Sequence, residues 1–481
     1  MTTKSDTIWS AKDAAAATGG QAQGDWTVTG VSIDTRTVQK GDLFIALRGN
    51  KGDGHDYVAT ALEKGAVAMV DHIPQGVSAS APLLIVKDTF TALQDLGRAA
   101  RARTGAKIIA VTGSVGKTGT KEMLATAFGV LGQTHASKAS HNNHWGVPFT
   151  LSAMHAGSDF GIFEVGMNHL GEITPLSQQV LPDIAIITTV EPVHIENFNS
   201  VEEIAQAKAE IFEGMKAGGV AILNRDNPHF VQLEKAALLK GLTVKSFGED
   251  AGADAQLQNH LLARNGTQVI ASIDGEKVQF TLMIAGKHIA MNALAVLMTV
   301  KVAGGDVRAA AKALASIDAV AGRGKREYIN VGDPENPVTL IDESYNASPV
   351  AMRAAFKVLA LVDPGRGGRR IAVLGDMYEL GEKAEQLHRD LILPLEAAGV
   401  NLVYTSGPLM KKLYESLPSN TRGAHDDDTR ELAKIVPGVL VPGDVVMVKG
   451  SRGPGEKPRM QVVVEALRAL PETFKQSAVK V

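Results

Sequence analysis

The chain has no cysteine among its 481 residues. That absence removes disulfides, zinc thiolates and thiol nucleophiles, and it fits a reducing compartment. A block of like charge is also missing. Acidic and basic residues number 52 and 49 and are mixed along the chain, for a net charge of −3. Nothing therefore singles out nucleic acid or an anionic membrane as a partner. No apolar run is long enough to span a bilayer; Gly443 and Asp444 break the most hydrophobic late segment. Near the N-terminus Asp13 interrupts the one short apolar stretch and no cluster of positive charge precedes it, unlike a secretory signal. A soluble cytoplasmic protein is expected. Repeats and low-complexity tails are absent too. With 44% hydrophobic and 21% charged residues, the chain is not mainly disordered.

What is present is too long for one ordinary core, so several domains are expected. Residues 1–105 carry short strand-like pieces at Val28 to Ile33, Leu43 to Leu47, Val67 to Val70 and Leu83 to Val86. Helices fall near Tyr57 to Lys64 and Thr91 to Arg103. Residues 106–320 alternate strands (Lys107–Thr112, Phe160–Val165, Ile184–Val190, Val220–Asn224) with helices (Lys121–Leu131, Val201–Met215, His288–Val302). This pattern predicts a parallel sheet covered on both faces. Gln256 to Leu282 reads as β-rich, with a hairpin turn at Asp274-Gly275. Residues 321–481 alternate again, with strands at Val338–Asp342, Arg370–Leu374, Asn401–Thr405 and Asp444–Lys449. The expected fold class is α/β in three domains: a small α/β domain, a central P-loop ATPase-like parallel sheet and a Rossmann-like doubly wound domain. Open α/β sheets bind ligands at the carboxyl ends of their strands. The polar motifs of both later regions sit there.

The most informative motif follows the run Ile108 to Thr112. Gly113-Ser114-Val115-Gly116-Lys117-Thr118-Gly119 then opens an amphipathic segment. Strand, glycine turn and helix in that order make a phosphate-binding loop. Backbone N–H groups cradle a triphosphate, Lys117 reaches its outer phosphates, and the Thr118 hydroxyl holds Mg²⁺. The longer form of the motif has a glycine where this chain has Val111. A plain glycine turn beside a solvated lysine is the rival reading.

Further candidates surround it. Glu164 is a lone carboxylate in the strand Phe160 to Val165, costly unless paired or bound to metal; an ordinary edge-strand glutamate would read the same. His194 follows the next apolar strand and could ligate metal or phosphate. Lys208 lies on the helix from Val201, where a lysine normally faces solvent. His288 and Asn292, four apart, share a helical face. Arg323 begins the third region and could reach a phosphate across a cleft. Asp342 to Asn346 end a strand; Tyr345 could stack on a base and Asn346 could hydrogen-bond one.

Taken together, these segments resemble the Mur ligases, the ATP-dependent amide-forming enzymes that build the peptidoglycan stem peptide. The phosphate loop, Asn142-Asn143-His144-Trp145-Gly146-Val147-Pro148, Glu164 to His169, Ala207 to Glu210, His288 to Asn292, Gly322-Arg323 and Asp342 to Asn346 fall in the family's order. Gly375-Asp376-Met377-Tyr378-Glu379-Leu380-Gly381 with His388, Asp342 to Ala347, and Val448 to Arg452 look like the branch that adds D-alanyl-D-alanine. The Asp-Asn-Pro-Arg motif of the diaminopimelate-adding branch is not in the third region. The turn-rich stretch Gly453 to Pro458 is longer than the family's usual segment.

The resemblance implies an N-terminal domain that holds the UDP end of UDP-N-acetylmuramoyl-tripeptide through Ser32, Asp34, Thr35, Arg36 and His55. It implies a central domain for ATP and Mg²⁺ and a third for D-alanyl-D-alanine, in a monomer. Gly113, Ser114, Gly116, Lys117, Thr118 and Gly119 would line the phosphates. Thr118 and Glu164 would hold one Mg²⁺; His194 and a CO₂-carbamylated Lys208 would hold a second. His288, Asn292, Arg323, Asp342, Tyr345 and Asn346 would form the nucleotide cleft, and Asn142, Asn143, Asp376, Lys449 and Arg452 would meet the substrates. Two alternatives stay open: another ligase of the superfamily, such as a folylpolyglutamate synthetase, and a nucleotide switch that ligates nothing.

Overall fold

The computed structural model describes residues 7–49, 52–137, 140–263, 266–453 and 459–470. Residues 454–458 of the turn-rich stretch lie outside them. Among the described residues the strands form three main sheets of five, nine and six strands, in chain order.

The first sheet runs Gln21–Gln23, Leu83–Ile85, Val67–Val70, Asp42–Ile45, Gly30–Ser32. The single strand expected over Val28 to Ile33 is instead two, Thr27–Val28 and Gly30–Ser32, and the first of these pairs with Trp9–Ser10. Helix Thr89–Arg103, capped by the Asp88 carboxylate, packs on helix Gly146–Ser152 of the next region. Gly97 allows the approach: a Cβ there would sit 3.2 Å from the Pro148 carbonyl oxygen. Trp9 Nε1 donates to Ser152 O at 2.8 Å and Arg101 Nε to Val180 O at 2.9 Å, so polar bonds reinforce the apolar seam.

The nine-stranded sheet holds Lys107–Thr112 at its topological switch point. Phe160–Glu164 pairs on one side and Ile184–Ile187 on the other, both parallel. Successive residues face opposite cores: Ile109 and Val111 join one cluster, Ile108 and Ala110 the other. That is the two-sided burial expected of a parallel sheet. Beyond Val220–Asn224 and Thr243–Gly248 the sheet turns antiparallel at Ala255–Ala263, Gly266–Ile273 and Glu276–Leu282. The expected hairpin turn is present, with Asp274 and Gly275 at φ 50° and 83°; both are positive, as a type I′ turn requires. The helix expected over Val201 to Met215 is α-helical only to Ala209 and tightens to a 3₁₀ turn over Glu210–Gly214.

The third sheet orders its strands Lys325–Ile329, Val338–Glu343, Val445–Lys449, Arg370–Gly375, Leu402–Ser406, Arg422–Asp426. Only the first pairing is antiparallel. Cores on both faces make it doubly wound, as the sequence predicts. No helix among the described residues is long and apolar enough to cross a membrane.

Candidate active site

Val111 belongs to the strand, paired with Glu164 and Ile186, so the chain turns from strand to helix within Gly113 to Gly116. The glycines are required. Gly113 and Gly116 have φ of 144° and 89°, and a Cβ would fall 1.9 Å from Thr188 Oγ1 and 2.8 Å from Asn292 Nδ2 respectively. Thr188 Oγ1 donates to Val115 O at 2.6 Å, and Ser114 N donates to Thr189 O at 2.9 Å. The loop is therefore held by the end of the neighbouring strand. Lys117 starts helix Lys117–Gly129 and folds back to donate to Gly113 O at 2.6 Å. Burial lowers its pKa, opposed by Glu164 and reinforced by Arg323. Arg323, from the third region, thus lies within electrostatic reach of the loop. Thr118 is buried, with Oγ1 3.3 Å from Ser140 Oγ; Gly119 faces open space.

Glu164 is 1% exposed. Its strand is paired on both sides, so the edge-strand reading is excluded. Asn142 Nδ2 donates to Oε1 at 2.7 Å, while Oε2 is buried without a partner. Asn143 Oδ1 accepts from Gly146 N at 2.9 Å and starts the helix there.

Lys208 is 2% exposed and, among the described residues, its Nζ forms no hydrogen bond or ion pair. Burial drives its pKa well below 10.5, and the nearby Lys117 pushes the same way. It stands four residues after the buried Ile204, on the inner stripe of its helix. Glu210 has a separate task. Its carboxylate accepts from Gly171 N, Ile173 N and Thr174 N at 2.6, 3.1 and 3.0 Å, capping helix Ile173–Val180.

His194, at φ 60°, bonds through Nδ1 to Glu379 of the third region. Glu379 lies within the Gly375 to Gly381 signature, where the sequence points to no role for it. His288 and Asn292 diverge more than their spacing suggests: Asn292 is buried against the phosphate loop, while His288 is exposed within reach of Glu343 and Lys449.

At the third sheet Asp342 is 2% exposed. Its oxygens accept from Ser344 N and Oγ at 3.1 and 2.6 Å, Gly322 N at 3.2 Å and Arg468 Nη2 at 3.0 Å. Lys449 Nζ donates to Glu343 Oε2 at 2.9 Å and Asn346 O at 3.1 Å. The Arg323 guanidinium lies 4.1 Å from the Tyr345 ring centre, with Arg452 at 5.8 Å. Asn346 is exposed and accepts from Arg452 N at 3.3 Å. Asp376 accepts from Met410 N at 2.7 Å, but its Oδ2 is buried without a partner; burial raises its pKa.

The first region's candidates lie apart from this cluster. Arg36 pairs with Asp34 at 2.7 Å and is largely exposed, while Ser32 Oγ donates to Asp34 O at 3.1 Å and Lys64 Nζ to Thr35 O at 2.6 Å. His55 is buried: Nδ1 meets Asp53 at 2.5 Å and Nε2 accepts from Asp71 N at 3.2 Å. Both ring nitrogens are thus used in holding the fold.

Comparison with known proteins gives the family. Three family models match along the chain: the Mur ligase family catalytic domain at 27–103, the Mur ligase middle domain at 111–300, and the Mur ligase glutamate ligase domain at 327–452. The UDP-N-acetylmuramoyl-tripeptide–D-alanyl-D-alanine ligase of Rickettsia prowazekii is 34% identical, over 93% of this chain and 97% of its own. Among solved structures, MurF from Acinetobacter baumannii superposes with a TM-score of 0.79 at 28% identity, covering 96% of this chain and 98% of that one. MurF ligase from Thermotoga maritima in complex with ADP gives 0.74 at 26% identity, covering 92% and 98%. The chain belongs to the Mur ligase family.

Proposed function

We propose that the chain is an ATP-dependent amide ligase joining D-alanyl-D-alanine to UDP-N-acetylmuramoyl-tripeptide for peptidoglycan synthesis. The observation that carries this reading is the gathering of an unpartnered buried carboxylate oxygen, on Glu164, and a buried lysine around a phosphate loop that faces Arg323. The similarity to relatives of that name over nearly the whole chain supports the choice of substrates.

ATP transfers its γ-phosphoryl group to the terminal carboxylate of the tripeptide. The dipeptide amine then attacks the acyl phosphate, and the tetrahedral adduct collapses to amide and phosphate. Such a transfer needs positioning and charge neutralisation more than covalent protein chemistry. Lys117 steadies the β- and γ-phosphates once they displace its bond to Gly113 O. Arg323 approaches the same phosphates from the third region, while Asn292 braces the loop. Tyr345 and Asn346 border the base, beside His288. In the third region Asp376, Lys449 and Arg452 shape the place of the incoming dipeptide.

The donor set fits Mg²⁺, a hard cation that takes oxygen ligands: the orphaned Glu164 oxygen and the Thr118 hydroxyl for one ion, His194 and a carbamylated Lys208 for another. Cations held there would neutralise the phosphates against the approaching carboxylate. Lys208 suits carbamylation because only a neutral amine attacks CO₂, and burial favours that form. The first region, through the Ser32 to Arg36 loop, takes the UDP end of the precursor in a cytoplasmic monomer.

The test is phosphate release from ATP and Mg²⁺ with UDP-N-acetylmuramoyl-tripeptide, with and without D-alanyl-D-alanine, followed by mass analysis. Release that needs both substrates and yields the pentapeptide product is the expected result. Release with a different amino acid moves the chain to another branch; release indifferent to either substrate leaves a nucleotide switch.

A further inference from the structure

The signature Gly375 to Gly381 contains one side chain that leaves its own region. Glu379 reaches across to His194 and accepts a hydrogen bond from Nδ1. A carboxylate can only accept, so Nδ1 carries a ring proton, and in the neutral ring Nε2 is then the nitrogen left to ligate. Neither side chain has another hydrogen bond among the described residues. The backbones meet as well: Glu196 N donates to Glu379 O at 3.3 Å, and a Cβ on Gly381 would stand 3.8 Å from Glu196 Cα. His194 and Glu379 both have φ of 60°. Non-glycine residues rarely hold that conformation, which persists where surroundings over-determine it, often at functional sites. Here two such residues face each other between the central and third sheets.

We propose that Glu379 is a positioning residue for the reaction. From the third region it fixes the tautomer and aim of His194, so that Nε2 is presented to the cation accompanying the triphosphate only while the two regions are in contact. A carboxylate behind a ligating imidazole orients the ring and raises its basicity. In this chain that carboxylate belongs to the region proposed to carry the incoming dipeptide, so its arrival and the completion of the cation site become one event. The inference rests on the ligase reading for the role of His194.

The test compares the full-length wild type, Glu379→Gln and Glu379→Ala, with Mn²⁺ as the probe. Glutamine keeps a carbonyl acceptor at similar reach; alanine removes it. Mn²⁺ is titrated by paramagnetic resonance into protein saturated with a non-hydrolysable ATP analogue. Glu379→Ala is expected to bind it about 10–100-fold more weakly, with Glu379→Gln within about threefold of wild type. The Mg²⁺ concentration for half-maximal phosphate release should rise in parallel for Glu379→Ala, with kcat largely recovered at saturating Mg²⁺. A mere latch between regions predicts equal Mn²⁺ affinity in all three proteins and a kcat loss that Mg²⁺ does not recover; that outcome overturns the positioning role. Because Mn²⁺ binding needs no turnover, a wild type that binds Mn²⁺ yet forms no amide refutes the ligase reading while the affinity ratio still decides Glu379.

Discussion

The central and third sheets both end their parallel strands in polar residues, but they leave those residues in opposite states. In the central sheet Glu164 has one oxygen bonded and the other buried alone, and Lys208 is enclosed with no partner among the described residues. In the third, Asp342 accepts four hydrogen bonds and Lys449 is held by Glu343 and Asn346. A buried polar group without a partner costs about 1–3 kcal/mol, and a charged one more. A buried atom of this kind calls for an explanation, and a bound ion is one. The satisfied set braces the third sheet, and the unsatisfied set is where the proposed cations and phosphates would bind. Asp376 Oδ2 is an exception among the described residues of the third region, and it lies where the dipeptide is proposed to bind.

The contrast breaks most sharply at Lys208 and Lys117. Lys117→Ala should lower kcat by about 10²–10³-fold, the usual cost of removing one preorganised electrostatic contact, with its unfolding midpoint unchanged. Lys208→Ala should lose turnover similarly and regain part of it with added short carboxylic acids, which substitute for the carbamate. Lys208→Met should also lose turnover, yet be more stable than wild type in CO₂-depleted buffer. The sign follows from linkage. A lysine whose folded pKa is depressed binds more protons unfolded than folded, so it opposes folding below 10.5. The advantage of methionine should therefore shrink as pH rises toward 10.5, which thermal melts across pH would reveal. A less stable Lys208→Met would mean that the amine is already satisfied, and the comparison would fail.

For the satisfied set the expectation reverses. Asp342→Ala strands Ser344 and the Gly322 amide and leaves the Arg468 guanidinium only its bonds to Glu327. Urea unfolding should show a loss of about 2–3 kcal/mol in the third region. Unchanged stability would move Asp342 into the unsatisfied class.

How much of this the sequence reveals also divides along the contrast. Strands Lys107–Thr112, Val220–Asn224 and Val67–Val70 have the bounds read from their β-branched runs, and Asp274-Gly275 makes its hairpin, because those signals are local. Strand Thr134–Ala136 and helix Gly146–Ser152 are too short for a periodic signal and take their form from packing. The gathering of loop, carboxylate and lysine was readable from motif order. Whether each was paired was not, since Asn142 meets Glu164 and Glu379 meets His194 through contacts distant in sequence. Lys208 alone left a trace: its place four residues after Ile204 puts it on the apolar stripe.

The first region sharpens the comparison further, because its network is satisfied and partly exposed. Burial would raise the Asp53 carboxyl, but the His55 backbone N–H and ring and the Arg48 guanidinium outweigh it and hold the pKa at about 2. A carboxylate depressed from 3.8 stabilises the fold above that pH, and the contribution is lost as pH falls through about 2. Asp53→Asn should flatten the acid limb of stability across that window in pH-dependent melts. An unaltered limb would show that the Asp53 network carries no folding energy.

The smallest stability effect belongs to Arg36. Its guanidinium pairs with Asp34 at 2.7 Å while 79% of the side chain is exposed. Surface pairs of this kind contribute about 0–1 kcal/mol, so Arg36→Ala should leave unfolding within about 0.5 kcal/mol of wild type. If the loop takes the UDP end of the precursor, the same substitution should raise the KM for UDP-N-acetylmuramoyl-tripeptide severalfold, with kcat and the KM for D-alanyl-D-alanine unchanged. A raised KM with unaltered stability separates a paired surface residue that binds substrate from one that only decorates the fold. An unchanged KM would remove Arg36 from the binding surface and leave the first region's contribution to residues outside this loop.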